Sequence, residues 1–198
     1  MLTFCESTLN SLLEPLGPKR RFAFALSCCE RLYPNYVAFV RKYRWGDSSI
    51  LREALDSCWS RLRGDLDEIE VENLKERLEA ITPDTDDFSG TLVSPALDAA
   101  VAAHLLMESL TDDSISTIID IASLCRDTVD MHLSELENLD SSDPNTETKI
   151  MSHKLMQAEL LRQRVDIEVL SRVDLDDVRE VDALARKWKN PSSSNIGL

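Results

Sequence analysis

Carboxylates are concentrated in the segment from Asp84 to Gly90, which reads Asp-Thr-Asp-Asp-Phe-Ser-Gly. Carboxylate and carbonyl oxygens that converge on one point are the ligands that calcium prefers. The segment differs from a helix-loop-helix calcium loop, because its glycine stands at the seventh position and Pro95 at the twelfth, where a bidentate glutamate is needed. We therefore favour a role in capping turns and the next helix start, with weak calcium binding as the alternative. The metal ligands would be Asp84, Asp86, Asp87 and Asp98.

Polar residues also interrupt the apolar stretch from Phe22 to Val40. A buried charge needs a partner, so in a structural role Glu30 and Arg31 would form ion pairs with the elements around them. In a functional role they would line one pocket with Asp87 and Asp98. An open pocket without compensating Arg or Lys would favour an enzyme, whereas fully paired carboxylates would favour a non-catalytic protein. The candidate pocket residues within the stretch are Glu30, Arg31, Tyr33 and Asn35.

The common catalytic and cofactor motifs are missing from the sequence. Its five glycines form no loop that could bring backbone amides to a phosphate, which excludes the usual nucleotide-binding loops. His104, His132 and His153 lie on three different predicted helices, and none has the spacing of a zinc-protease helix or a di-iron bundle. No serine stands in a nucleophile elbow. We assign no catalytic residue and expect no cofactor beyond the alternative of weak calcium binding.

The composition favours one cytosolic domain. The 198 residues are 43% hydrophobic and 29% charged, and no run approaches the roughly 18 apolar residues of a membrane-spanning helix. The start of the chain lacks the basic and apolar regions of a signal peptide, and five cysteines inside apolar stretches favour reduced, buried thiols. The formal charge is −14, although residues 1–63 carry 10 Lys and Arg against 6 Asp and Glu. Nucleic acid and anionic membranes are disfavoured as partners, because the acidic surface repels phosphate.

Apolar residues recur at spacings of three and four, and no segment alternates at two. We therefore predict an all-α, single-domain bundle of about eight helices, with residues 1–190 as the domain and 191–198 as a mobile C-terminal tail. Pro34 would either kink the second helix or begin a new one. The fourth helix would run from about Leu66 to Ile81. The helix from Ala96 to Leu110 would be central, because it is apolar on nearly every face and its alanines allow close approach.

Two long amphipathic helices are predicted in the last third of the chain. The first carries a heptad-like apolar seam from Ile115 to Leu136, in which His132 is the one polar member. The second shows one apolar face, formed by Met151, Leu155, Ala158, Leu161, Val165 and Val169. These helices would form a surface for a homodimer or a helical partner, or else pack on each other as an antiparallel hairpin across the turn from Asp140 to Thr146.

The segment from Cys29 to Tyr36, Cys-Glu-Arg-Leu-Tyr-Pro-Asn-Tyr, resembles a motif of a bacterial all-helical family known as domain of unknown function 416. Three later segments match the family in order: 86–88, 95–99 and 194–197. The resemblance implies a helical architecture and no established activity, and a role in bacterial signalling is compatible with it. We interpret the chain as a non-catalytic interaction or regulatory module with a protein partner. The alternative is an enzyme or divalent-cation-binding protein that uses an acidic pocket.

Overall fold

The computed structural model describes residues 2–3, 5–65, 68–140, 142–189, 191 and 193–198, and for residues 68–70 it describes the backbone. Over these residues the chain forms nine α-helices and no strand, which confirms the all-α prediction. The helices are α1 (Glu6–Leu13), α2 (Pro18–Tyr43), α3 (Ser48–Arg63), α4 (Glu68–Ala80), α5 (Val93–Glu108), α6 (Ile115–Leu136), α7 (Thr146–Ser152), α8 (Lys154–Leu170) and α9 (Val178–Trp188). Leu66 and the side chain of Ile69, both assigned to the predicted fourth helix, lie outside the described residues.

None of the described helices combines the length and the apolar character that crossing a membrane requires.

The helix α2 runs through the middle of the bundle. Pro18 occupies its first turn, where a backbone N–H would have no partner within the helix, and the helix continues through Pro34 without beginning again. Every residue from Phe22 to Leu32 is buried, because α2 packs against α3, α5, α6, α8 and α9. The helix therefore carries Glu30 and Arg31 into the interior, where their charges must be matched by other elements.

The helix α5 lies at the centre beside α2 and α6, as its composition predicted. No residue from Leu92 to Leu110 is exposed. Ala99, Ala100, Ala102 and Ala103 are each at most 1% exposed, and their small side chains let neighbouring helices come close.

The long helix predicted around Met151 to Val169 is divided into α7 and α8 at His153. This residue has extended backbone angles, with φ −66° and ψ 143°, and its Nδ1 accepts a hydrogen bond from the Leu155 N–H at 3.2 Å. The bond satisfies one of the free N–H groups at the start of α8. Apolar periodicity continues across the break, so the pattern alone did not reveal it.

The predicted apolar face of α8 is wrong. Its Leu161 and Val165 are 52% and 39% exposed. The helix instead buries Met156, Glu159, Leu160, Gln163, Asp166, Ile167 and Leu170. These positions also recur at spacings of three and four, but polar residues interrupt them. The physical reason is Arg31 on α2, whose buried charge is matched by Glu159 and Asp166.

The heptad-like seam of α6 packs inside the domain. Ile118, Ala122, Cys125 and Val129 are each at most 1% exposed, because α6 contacts α1, α2, α5, α7 and α8. These four seam residues therefore pack within the domain, mainly on α5 and α2 and also on α8, whereas Leu136 at the end of the seam is exposed, and the homodimer stays a prediction. On α6 the large apolar side chains that remain exposed are Met131 at 47% and Leu136 at 64%.

The C-terminal residues pack on the bundle. Ser194, Asn195 and Ile196 are buried. The Asn195 side chain accepts a hydrogen bond from Asn35 Nδ2 at 2.8 Å and donates one to the Cys125 carbonyl oxygen at 2.8 Å. Packed residues therefore extend beyond the domain boundary predicted at residue 190, while the mobility of residues 191–198 stays a prediction.

Candidate functional site

Arg31 is the centre of a buried polar cluster between α2 and α8. Its Nη1 lies 2.5 Å from Asp166 Oδ2, and its Nη2 lies 3.3 Å from Glu159 Oε1. Gln163 donates to Glu159 Oε1 at 3.0 Å, and Ser27 donates to Asp166 Oδ2 at 3.1 Å. Burial acts to lower the pKa of Arg31, but Glu159 and the other neighbours outweigh burial and raise that pKa well above its ordinary value. Arg31 thus stays cationic as the charged link between the two helices.

A cleft of about 400 Å³ opens above this cluster, between α2, α8 and α9. Its buried lining residues form a floor: Ser27, Arg31, Asp166 and Trp188. The more accessible lining residues form a rim: Leu161, Arg162, Val165, Lys187 and Pro191. We call this feature the α8–α9 cleft. Its volume lies within the range of cavities that receive ligands in other proteins.

The rim of the α8–α9 cleft is cationic and apolar. Arg162 makes two long hydrogen bonds, to the Ser194 carbonyl oxygen at 3.4 Å and to Ser193 Oγ at 3.5 Å. Among the described residues, neither Arg162 nor Lys187 forms an ion pair. Leu161 and Val165 stand beside them, one helical turn apart and exposed. The rim can therefore offer positive charge and apolar surface to a second molecule.

Glu30 belongs to a different environment, on the side of α2 that faces α3. Its carboxylate accepts two hydrogen bonds from the Arg52 guanidinium, both at 2.7 Å, and a third from Trp59 Nε1 at 2.7 Å. The side chain is fully buried. Both carboxylate oxygens thus accept at least one hydrogen bond, and Glu30 joins α2 to α3 as a buried ion pair.

The remaining predicted pocket residues do not converge with Arg31. Tyr33 lies beneath the Arg52 guanidinium, whose Cζ is 5.0 Å from the ring centroid, and its hydroxyl donates to the Ser48 carbonyl oxygen at 3.4 Å. Asn35 contacts Asn195 in the C-terminal segment. The structure thus brings Glu30 and Tyr33 together at Arg52, while Arg31 and Asn35 each face a separate partner.

The acidic loop is held by aromatic packing rather than by its carboxylates. Phe88 packs against Phe39, Tyr43 and Trp45 in edge-to-face or tilted contacts, with ring centroids 5.1 to 5.5 Å apart. The Tyr43 hydroxyl donates to the Ser89 carbonyl oxygen at 2.7 Å. Asp84 Oδ1 accepts a hydrogen bond from the Asp86 N–H at 2.9 Å, which is the turn-capping role favoured by the sequence.

Asp98, the fourth predicted metal ligand, contacts α6. Its Oδ2 accepts a hydrogen bond from Thr128 Oγ1 at 2.7 Å. Burial raises the pKa of Asp98 to about 6, although the hydrogen bond from Thr128 acts against this. Within the described residues, no three His, Cys, Asp or Glu side chains are grouped as a metal ion would require. Weak calcium binding at the loop stays a prediction.

A sequence profile of the family described as "Protein of unknown function (DUF416)" matches residues 8–198. The chain belongs to the DUF416 family. Its fold is similar to the crystal structure of a DUF416 family protein from Shewanella baltica, with a TM-score of 0.87 and 26% identity, over 100% of this chain and 99% of that one. The resemblance carried by residues 29–36 and the three later segments is therefore confirmed.

Other DUF416 relatives match the chain over nearly its full length. The "Uncharacterized protein YjaG" of Salmonella typhimurium is 27% identical over 194 residues, and that of Escherichia coli is 26% identical over 194 residues. An "Uncharacterized protein" of Haemophilus influenzae is 27% identical over 195 residues. Each alignment covers 98% of this chain and 97% of the relative.

Of the residues that line the α8–α9 cleft of this DUF416 protein, sequence reasoning found Arg31 but missed Asp166, and it also missed Glu159 in the cluster beneath the cleft. Glu159 and Asp166 lie on the polar stripe of a helix whose apolar stripe is equally regular, so periodicity favoured the wrong face. The available signal was Arg31 itself, because a cation inside an apolar stretch requires carboxylates from another element. Nothing in the sequence showed that the carboxylates paired with Arg31 would be Glu159 and Asp166.

Cys5 was also grouped wrongly with the buried thiols. It is the exposed N-cap residue of α1, while the other four cysteines are buried. Hydrogen bonds from the side chain of Ser7 and from Thr8 lower the pKa of the Cys5 thiol to about 7.

Proposed function

We propose that this DUF416 protein is a non-catalytic interaction or regulatory module of the cytosol, which binds a protein partner through the α8–α9 cleft. The observation that carries the proposal is the pair Leu161 and Val165, which are exposed apolar residues of α8 on the rim of a cleft with a buried floor. Exposed apolar residues around a concave site are typical of recognition surfaces. A signalling role is one use to which such a module could be put.

The pairing of the buried charges supports binding rather than catalysis. Glu30 is held by Arg52 and Trp59, and Arg31 is held between Glu159 and Asp166. A general acid or base needs a free site from which to exchange a proton with a substrate. The alternative function is an enzyme that uses an acidic pocket. The carboxylate that lines the α8–α9 cleft, Asp166, is not free to exchange a proton, because it is engaged by Arg31 and Ser27.

The cytosolic location is supported by four buried free thiols, which persist most readily in a reducing compartment. The acidic composition, with a formal charge of −14, supports a protein partner over nucleic acid or an anionic membrane. A second copy of the chain is the alternative partner.

The proposal is tested by capture from native bacterial cytosol with the tagged full-length chain, followed by binding to each captured protein after its purification. We expect a purified partner to bind the wild-type protein and to lose most of its affinity for Leu161→Ser. The matched control is Leu136→Ser, which removes an exposed leucine from α6, away from the cleft. A partner that binds all three proteins equally would contradict the use of the cleft, and the absence of any purified partner would contradict the proposed function.

A further inference from the structure

We infer that the α8–α9 cleft binds an acidic segment of the partner protein in which an apolar side chain is flanked by carboxylates. This inference rests on the proposed function and names the chemistry of the segment that docks.

The rim of the cleft is complementary in charge to an acidic ligand. The chain carries a formal charge of −14, yet the rim of the cleft presents Arg162 and Lys187, and neither is engaged in an ion pair among the described residues. The carboxylate of the lining, Asp166, is already paired with Arg31. A cationic mouth on an acidic protein attracts anionic groups and orients them, while the rest of the surface repels them.

The floor of the cleft determines where the carboxylates of the ligand can lie. Asp166 and Arg31 neutralise each other there, and Asp166 also accepts a hydrogen bond from Ser27. A carboxylate pushed to the floor would lose water and meet the Asp166 carboxylate. The two buried N–H groups there that have no hydrogen-bond partner among the described residues, Arg31 Nε and Trp188 Nε1, supply no unpaired cation to offset that loss. The carboxylates of the ligand therefore bind at the rim, on Arg162 and Lys187.

The apolar surface of the cleft favours an apolar side chain in the ligand. Leu161 and Val165 leave 52% and 39% of their surface in water, and the ring of Trp188 lines the same cleft. An apolar side chain that covers these residues would gain the free energy of removing both surfaces from water. One apolar anchor between charged contacts is the common arrangement of an interface centre with a polar rim.

The test is fluorescence anisotropy with short fluorescein-labelled peptides and the purified full-length protein at low salt. One peptide has a leucine flanked by glutamates, a second has lysines in place of the glutamates, and a third has serine in place of the leucine. We expect saturable binding of the first peptide only, weakened at least roughly tenfold by Lys187→Glu and by raised salt. Lys154→Glu is the matched control, because it makes the same charge change at an exposed position of α8 outside the cleft and should leave binding unchanged.

The possible results separate this inference from the proposed function. If the acidic and basic peptides bind equally, the inference of an acidic segment is overturned. The same holds if Lys187→Glu and Lys154→Glu lower the affinity for the acidic peptide equally. Benzoate serves as a small organic anion that contains no peptide. If benzoate displaces the acidic peptide at similar concentrations, the cleft is a site for small organic anions, and the inference of an acidic protein segment is overturned. If a purified partner still loses affinity with Leu161→Ser while no acidic peptide binds, the proposed function stands and the inferred chemistry fails.

Discussion

Arg31 and Asp166 form a buried ion pair that joins α2 to α8, 135 positions apart in the sequence. The same guanidinium also contacts Glu159, so a single cation holds two carboxylates of one helix. A substitution in such a cluster lowers the free energy of unfolding most when it leaves an unpaired charge in the interior.

We expect Arg31→Met to lower the free energy of unfolding by roughly 3–5 kcal/mol, because it leaves both carboxylates buried without their cation. Asp166→Asn should cost less, about 1–3 kcal/mol, since Glu159 remains as a partner for Arg31. Urea unfolding measures both. The control is Arg172→Met, which removes an exposed ion pair with Glu168 and should cost less than about 1 kcal/mol. Equal effects of Arg31→Met and Arg172→Met would show that the buried cluster contributes no more than a surface pair.

The stability of the domain should depend on the titration of Asp98. Burial raises the pKa of Asp98 in the folded protein to about 6, so between its ordinary unfolded pKa and about 6 the folded state binds more protons than the unfolded state. The contribution of Asp98 is therefore most favourable at low pH and is lost as the pH rises through about 6. Asp98→Asn should remove this dependence, so as the pH rises from 4 to 8 its stability relative to wild type should increase by up to about 3 kcal/mol, at about 1.4 kcal/mol per pKa unit. Parallel unfolding curves for the two proteins across this range would contradict the shift.

Cys5 should be the thiol that reacts first. With a pKa of about 7, a substantial fraction of the Cys5 side chains is thiolate at neutral pH, and its exposed position gives a reagent access. Access to the other four cysteines is blocked, because all of them are buried: Cys28, Cys29, Cys58 and Cys125. Treatment with iodoacetamide at pH 7, followed by peptide mass spectrometry, should find Cys5 alkylated in the native protein and all five cysteines alkylated only after unfolding. Cys5→Ser should take up no label while folded, and rapid labelling of that variant would place a reactive thiol elsewhere.

Calcium titration tests the acidic loop. We expect no saturable heat at calcium concentrations up to about 1 mM, because Asp84 caps the turn at Asp86 and Asp98 is engaged by Thr128. Wild type is compared with the double variant Asp86→Asn, Asp87→Asn in an isothermal calorimeter. A saturable heat in wild type that disappears in the double variant would establish the weak calcium site instead.

The parts of the fold that sequence predicted well are those in which local pattern and packing agree. The alanines of α5 indicated a central helix, and α5 has no exposed residue. Prediction failed where a local cap interrupts a regular pattern and where a distant residue decides which face of a helix is buried. His153 ends α7 and caps α8 within a continuous apolar pattern, and α8 turns its polar stripe inward because Arg31 is already there. Spacing within a helix carries no information about a cation on another helix, so the α8–α9 cleft could not be read from periodicity.

The packing of α6 makes a prediction that separates an internal seam from a dimer surface. Val129 is fully buried, whereas Met131 on the same helix is 47% exposed. Val129→Glu should abolish cooperative unfolding and most helical circular dichroism, because an unpaired charge would enter a packed interior. Met131→Glu should leave the circular dichroism unchanged. Light scattering at rising protein concentration then tests whether the chain forms a homodimer through the exposed part of α6. A wild-type mass that stays monomeric excludes this dimer, whereas a dimeric mass that Met131→Glu returns to monomer establishes it. A Val129→Glu protein that keeps its helices would show that the seam does not lie inside the domain.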